Sequence, residues 1–356
     1  MINEQLAELS NLAVVVAIVL YVLALIGFSA DLASTSQRRS DARLAALDEQ
    51  EGARVLQTAS VASEGGAPVA AAHSRDGGED PAADVTTAPA PGAMTAQKFA
   101  FLLSMAATLL HVLGVLARAA ATQRVPWANM YEFATTSSAL VMVAFLVFSI
   151  KRAELRALGT FVVGPVLLVL LLAQTFWIVP AAALTPSLQN SHWLIIHIGI
   201  AIIATALSIL GAVVASLQLL KGRHEHALAE KTAAGEDLPE HWGRAGHVLD
   251  RLPSSTALES LSFRIHSIAF VCWTFTLMFG AIWAREAWGR FWGWDPKEVW
   301  TFIIWVIYAA YLHARATGGF RGSRAAGLAL AGFVAVVFNY TIVNTVINGL
   351  HSYSGL

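Results

Sequence analysis

Leu194-Ile-Ile-His-Ile-Gly-Ile-Ala-Ile-Ile-Ala-Thr-Ala-Leu-Ser-Ile-Leu-Gly-Ala-Val-Val-Ala-Ser-Leu-Gln-Leu-Leu220 contains no Asp, Glu, Lys or Arg. A helix needs roughly 20 predominantly apolar residues to cross the hydrocarbon core of a bilayer, and this run exceeds that. Similar runs lie on either side of it, over approximately Leu12–Ala30, Phe99–Ala119, Phe133–Ile150, Gly159–Ile178, Ile265–Ala284, Val299–His313 and Ala325–Ile347. The run at Val299–His313 is short unless its helix starts further upstream. Composition agrees with this pattern: 56% of the residues are hydrophobic and 13% are charged, against about 25% charged in ordinary soluble domains. The apolar residues are concentrated in long uninterrupted runs, which is membrane patterning and not a large soluble core. The expected fold is all-α, a polytopic membrane bundle of about eight transmembrane helices.

Three segments follow from this pattern. Residues 1–33 hold the first transmembrane helix; Asn3-Glu4-Gln5 and Glu8 precede it in place of a basic leader, so it reads as retained. Residues 34–97, rich in Ala, Gly, Ser, Pro and Asp, read as a low-complexity, disordered cytoplasmic connector. Residues 98–356 hold the remaining helices, with a polar, partly helical loop over 221–260. Cys272 is the single cysteine. It rules out an internal disulfide, a C-x-x-C redox centre and a C-x-x-C-H haem-attachment segment within the chain. A net charge of -1 offers no reason to expect a nucleic-acid partner.

Loop charge orients the bundle, because Lys and Arg concentrate on the cytoplasmic side. Arg38, Arg39 and Arg43 follow the first run, Lys151, Arg152 and Arg156 the third, Lys221 and Arg223 the fifth, and Arg315, Arg321 and Arg324 the seventh. These alternate connections are assigned to the cytoplasm. The N-terminus, the loop over Pro180–Trp193, the connection over residues 283–300 and the C-terminal His351 are then external.

That last external connection holds Trp283, Trp288, Trp292, Trp294 and Trp300, interleaved with Gly289 and Gly293 and closing on Asp295-Pro296. Tryptophan favours both membrane interfaces, so an aromatic belt is one reading. The density of rings and glycines supports another, an apolar slab that a flat hydrophobic ligand can approach closely. Asp295-Pro296-Lys297-Glu298 also has the form of a capped helix start. Intramembrane histidines are a second signal. His197 and His351 lie at outer ends of their helices, on the face of the Trp-rich loop, and two neutral imidazoles beside an aromatic slab suit a six-coordinate haem. His313 lies at an inner helix end. His111, midway along the second run, reads as a packing residue.

The stretch Trp283–Trp300 resembles the tryptophan-rich "WWD" domain of haem-handling proteins in cytochrome c assembly, most closely the CcsA (ResC) family. Ser191-His-Trp-Leu-Ile-Ile-His197, Tyr311-Leu-His313 and Leu350-His-Ser-Tyr-Ser-Gly355 are similar to the family's histidine segments. Trp127-Ala-Asn-Met-Tyr-Glu132 and Leu261-Ser-Phe-Arg264 resemble two further family motifs, in the family's order. Residues 34–97 have no counterpart in the family's core, and His192 stands as a rival to His197.

The resemblance implies a protein of the plasma membrane, with both termini external, that carries haem b as cargo and presents it to apocytochrome c. It implies an external site with His197 and His351 as ligands of the haem iron and Trp288, Trp292, Trp294 and Asp295 as its wall. His313 would ligate iron at an inner site. A ResB-type partner would supply the second inner ligand and complete a haem–cytochrome c ligating complex, with thiol-reducing proteins acting indirectly. Two other readings compete. A transporter of another amphipathic ligand would need intramembrane carboxylates, of which the runs are nearly bare. An electron-transfer subunit of the cytochrome b sort would stack paired histidines at two depths within one bundle.

Overall fold

The computed structural model describes residues 2–63, 95–182, 191–317 and 319–351. Eight helical segments are long and apolar enough to cross a membrane. They are carried by α1 (Glu4–Ser63), α2 (Ala96–Thr122), α3 (Met130–Lys151), α4 (Gly159–Phe176), α5 (His192–Ala233), α7 (Ser255–Trp288), α8 (Pro296–Ala316) and α9 (Ser323–Tyr340). Short helices α6 (Gly243–Asp250) and α10 (Ile342–Thr345) complete the set, with a 3-10 turn over Ala153–Leu158 leading into α4. The chain is an all-α polytopic membrane protein.

Local chemistry sets many of the helix starts. Thr95, Asn129, Ser191, Ser254 and Asp295 each accept a backbone N–H two or three residues on, relieving donors that the first helical turn leaves unpaired. Small residues set how closely helices pack. Ser10 donates to the carbonyl of Gly114 at 2.7 Å, a contact between α1 and α2 that a bulkier residue at 114 would block. A large core joins Tyr21 and Phe28 of α1, Met142 of α3, Leu170 of α4 and Val214 of α5. A second core joins Trp273 of α7, Ile304 and Tyr308 of α8 and Val336 of α9.

Several helix boundaries lie beyond the sequence expectation: α5 runs on to Ala233 and α7 starts at Ser255, and two expected connections change as well. The connector expected to be disordered over 34–97 begins as helix, because α1 runs on to Ser63. Its Asp41-Ala-Arg-Leu-Ala-Ala-Leu-Asp-Glu-Gln-Glu51 segment is built largely from strong helix formers, and Arg43 and Arg54 pair with Glu240 and Asp237. The connector's last residues, 95–97, cap and open α2, and 64–94 lie outside the described residues. The external loop expected over 283–300 is shorter, because α7 continues to Trp288 and closes on Gly289 at φ 73°. α8 then starts at Pro296.

The ends of the bundle are chemically distinct. At one end, the extensions of α1 and α5, helix α6 and the start of α7 form a polar annex. There Arg251 pairs with Asp31 at 2.6 Å, while Lys221 and His224 both reach Asp250, at 3.6 and 3.0 Å. The other end encloses a chamber.

Candidate functional site

The chamber holds about 510 Å³, within the ~300–1,000 Å³ typical of small-molecule sites. Trp127, Phe133, Leu194, Ile198, Trp273 and Trp283 give it an aromatic and aliphatic wall. A buried carboxylate builds one side. Glu132 is fully buried and accepts from Arg118 at 3.2 Å, from Arg124 at 2.7 and 3.0 Å and from the Ala128 N–H at 2.9 Å. The turn before α3 is tied down by this network, which carries Arg124 and Trp127 to the chamber.

His197 sits on the second turn of α5. Its Nδ1 is 3.0 Å from the carbonyl oxygen of Thr276. A carbonyl only accepts, so Nδ1 carries the proton and Nε2 keeps a lone pair. The ring lies parallel to Trp283, centroids 6.0 Å apart and planes at 10°. Gly280 makes room for it: a Cβ there would stand 2.8 Å from Cε1 of His197.

His351 is held in the same state by a different group. Its Nδ1 donates to Oδ2 of Asp295 at 2.7 Å. Burial pushes the Asp295 carboxyl up. Hydrogen bonds from His351, the Leu350 N–H and the Lys297 N–H outweigh that and hold it below the usual carboxylate range. Asp295 therefore accepts as an anion. The His351 ring is edge-on to Trp283 at 5.8 Å and to Trp288 at 4.9 Å. Among the described residues, Nε2 of neither histidine has a hydrogen-bond partner. Two imidazoles meet one tryptophan, each with its proton held on Nδ1 and its Nε2 lone pair uncommitted. That donor set fits iron in a macrocycle, because metal-bound histidines almost always tie their second nitrogen to a carboxylate, carbonyl or water.

The Trp-rich loop divides its residues. Trp292 lines the chamber, whereas Trp288 packs behind His351 and against Trp283 at 4.8 Å. Trp294 turns outward and is 75% exposed, on a left-handed backbone with φ 62°. Asp295 is buried and works on His351, not as a flat wall. Trp283, which belongs to the same cluster but not to the expected wall, is the ring both histidines touch. The expected cap is present: Asp295 accepts from the Lys297 N–H, and Glu298 reaches back to the Asp295 N–H at 3.1 Å. His192, the rival to His197, is exposed on the chamber's margin. His313 is exposed in the last turn of α8, away from the chamber. His111 is fully buried against Tyr21. Residues 352–356, with most of the C-terminal motif, lie outside the described residues.

Lys297 is a residue that the sequence marked only as part of a helix start. Its Nζ donates to the Asn339 carbonyl at 2.8 Å and to Oδ1 of Asn344 at 2.7 Å, on the chamber wall.

These features define a polytopic helical membrane protein whose bundle carries an aromatic, two-histidine chamber at one end. The chain belongs to the family described as cytochrome C assembly protein, whose profile matches residues 98–351. It is 33% identical over 295 residues to the cytochrome c biogenesis protein CcsA of Gloeobacter violaceus, covering 70% of this chain and 85% of that one. The CcsA protein of Heterosigma akashiwo is 32% identical over 250 residues, covering 65% and 77%. That of Parasynechococcus marenigrum is 38% identical over 179 residues, a match spanning 49% of this chain and 58% of that one. The family's span contains every helix that lines the chamber and leaves α1 outside it.

Proposed function

We propose that this protein acts in cytochrome c assembly by holding haem b between His197 and His351 and presenting it on the outer face of the membrane to apocytochrome c. The observation that carries this reading is the shared state of the two histidines. Thr276 and Asp295 each take an Nδ1 proton, leaving two Nε2 lone pairs beside one aromatic chamber. Neutral imidazoles are the usual haem ligands, and the partners that fix their tautomer also raise their basicity.

Haem is the cargo, and its vinyl groups are what the reduced thiols of an apocytochrome C-x-x-C-H segment attack. The chain's part is to bind, orient and shield. Fixing the macrocycle supplies rate through effective molarity, and Trp127, Trp273 and Trp283 keep water from its faces. External placement is supported by the loop charges and by the polar annex, which lies at the opposite end from the chamber. The exposure of His313 on the bundle surface suits an inner site shared with a ResB-type partner, which would add the second ligand.

The test is the reduced absorption spectrum of the purified protein, alone and with its partner, for wild type and for His197→Ala, His351→Ala and His313→Ala. Co-purifying b-type haem is expected in wild type, lost or destabilised in the external variants, and cells carrying those variants should fail to mature c-type cytochromes. Normal maturation in a His197→Ala/His351→Ala double variant overturns the proposal.

A further inference from the structure

Lys297 lines the chamber with no carboxylate in direct contact; the Asp295 carboxylate, two residues before it, acts on it only through space. Both oxygens that its Nζ touches, the Asn339 carbonyl and Asn344 Oδ1, are uncharged. Among the described residues, no carboxylate lies within ion-pair distance of it. The other chamber cation, Arg124, is spoken for by Glu132 at 2.7 Å. An ammonium has three donors, so one is left over. Beside it the Asn339 side chain donates from Nδ2 to Thr301 at 3.2 Å, while its Oδ1 is buried with no partner. Lys297, Thr301, Asn339 and Asn344 all line the chamber. A shielded charge with a spare donor, next to an orphaned amide, is costly unless a guest completes it.

We propose that Lys297, with Asn339 and Asn344, is a carboxylate subsite that takes a propionate group of the bound porphyrin. The inference rests on the haem reading above and adds what the axial histidines cannot supply, namely which edge of the macrocycle faces which wall. A carboxylate accepts from the spare ammonium proton. Thr301 donates its proton to the Lys297 carbonyl at 2.7 Å, so Asn339 keeps Nδ2 on Thr301 and turns Oδ1 to the chamber, where it would accept the O–H of the acid in its protonated form. Propionates and vinyls occupy opposite edges of haem. Seating the acid edge against α8, α9 and α10 therefore turns the vinyl edge toward the far wall, where thiols must arrive. The subsite would select porphyrin acids over porphyrins lacking a free carboxyl group.

Metal-free protoporphyrin IX and its dimethyl ester separate this subsite from iron ligation. Titrated into the purified full chain, with porphyrin and tryptophan fluorescence as readouts, the diacid should bind wild type about 10- to 100-fold more tightly than the ester, the range of one charge-assisted hydrogen bond. Lys297→Met should abolish that preference while leaving ester affinity in place, and Lys297→Arg should keep most of it. Equal binding of diacid and ester by wild type overturns the proposal. So does a Lys297→Met variant that weakens both ligands alike, since that marks Lys297 as a strap between α8 and α9. Failure of wild type to bind either porphyrin overturns it as well. In each of those cases the haem spectrum of wild type reports separately on His197 and His351: its persistence preserves the axial reading, and its absence removes that reading too.

Discussion

Asp295 holds three groups with one carboxylate. It caps α8 through the Lys297 N–H and it orients His351, while its second oxygen holds the Leu350 N–H at 2.6 Å. The cap was legible in the sequence, because an acid followed by Pro and Glu is a local signal. The histidine contact was not, because the partners are 56 residues apart and no spacing rule links them. Its lowered pKa gives a signed prediction. A depressed native pKa means the stabilisation is complete above the unfolded value of about 4 and is lost as pH falls through the native one. Asp295→Asn should therefore melt below wild type at neutral pH, and the two curves should converge once pH falls below the usual carboxylate range. Haem retention by Asp295→Asn should fall about 10- to 100-fold, as for other metal-site partners. Thermal melts of the solubilised protein across a pH series check the first statement. A margin that persists below the carboxylate range contradicts it.

Helix ends carried most of the difference between expectation and structure. The apolar cores of the spans were legible, because bilayer length and hydropathy act on each run separately. Their polar continuations were not, since Asp41–Glu51 and Ala284-Arg-Glu-Ala-Trp288 have composition that suits a loop as readily as a helix. Extending α7 to Trp288 is what brings Trp283 against both histidines and leaves Trp294 outside. The same helix carries Gly280 against the His197 ring, and this gives an element-scale prediction. Gly280→Ala improves helix propensity by about 1 kcal/mol, yet its Cβ would lie 2.8 Å from Cε1 and 2.9 Å from Nδ1 of His197. The ring must swing away from the Thr276 carbonyl. The variant should melt no lower than wild type while losing the bis-histidine haem spectrum, a split that simple destabilisation does not produce. A wild-type spectrum in Gly280→Ala would show that His197 is not held by this contact.

At the scale of the molecule, alternating loop charge already implied which ends share a side, but not that α3, α5, α7, α8, α9 and α10 converge on one chamber. That convergence depends on tertiary pairs such as Glu132 with Arg118 and Arg124, and on Tyr340 donating to the Met130 carbonyl at 2.7 Å. The proposed function depends on which way the bundle points, since apocytochrome thiols reach only one face. Cys272 is the single cysteine, so a Cys272→Ser background allows orientation to be read one site at a time. Ala182 is exposed beside the chamber-side loop, and Ala229 is exposed on the annex extension of α5. On intact cells, a membrane-impermeant maleimide should label Ala182→Cys, and should label Ala229→Cys only after permeabilisation. The reverse pattern would put the chamber in the cytoplasm. His197 and His351 would then face the side where haem is made, and the proposed delivery to external cytochromes would fail even if both histidines bound iron.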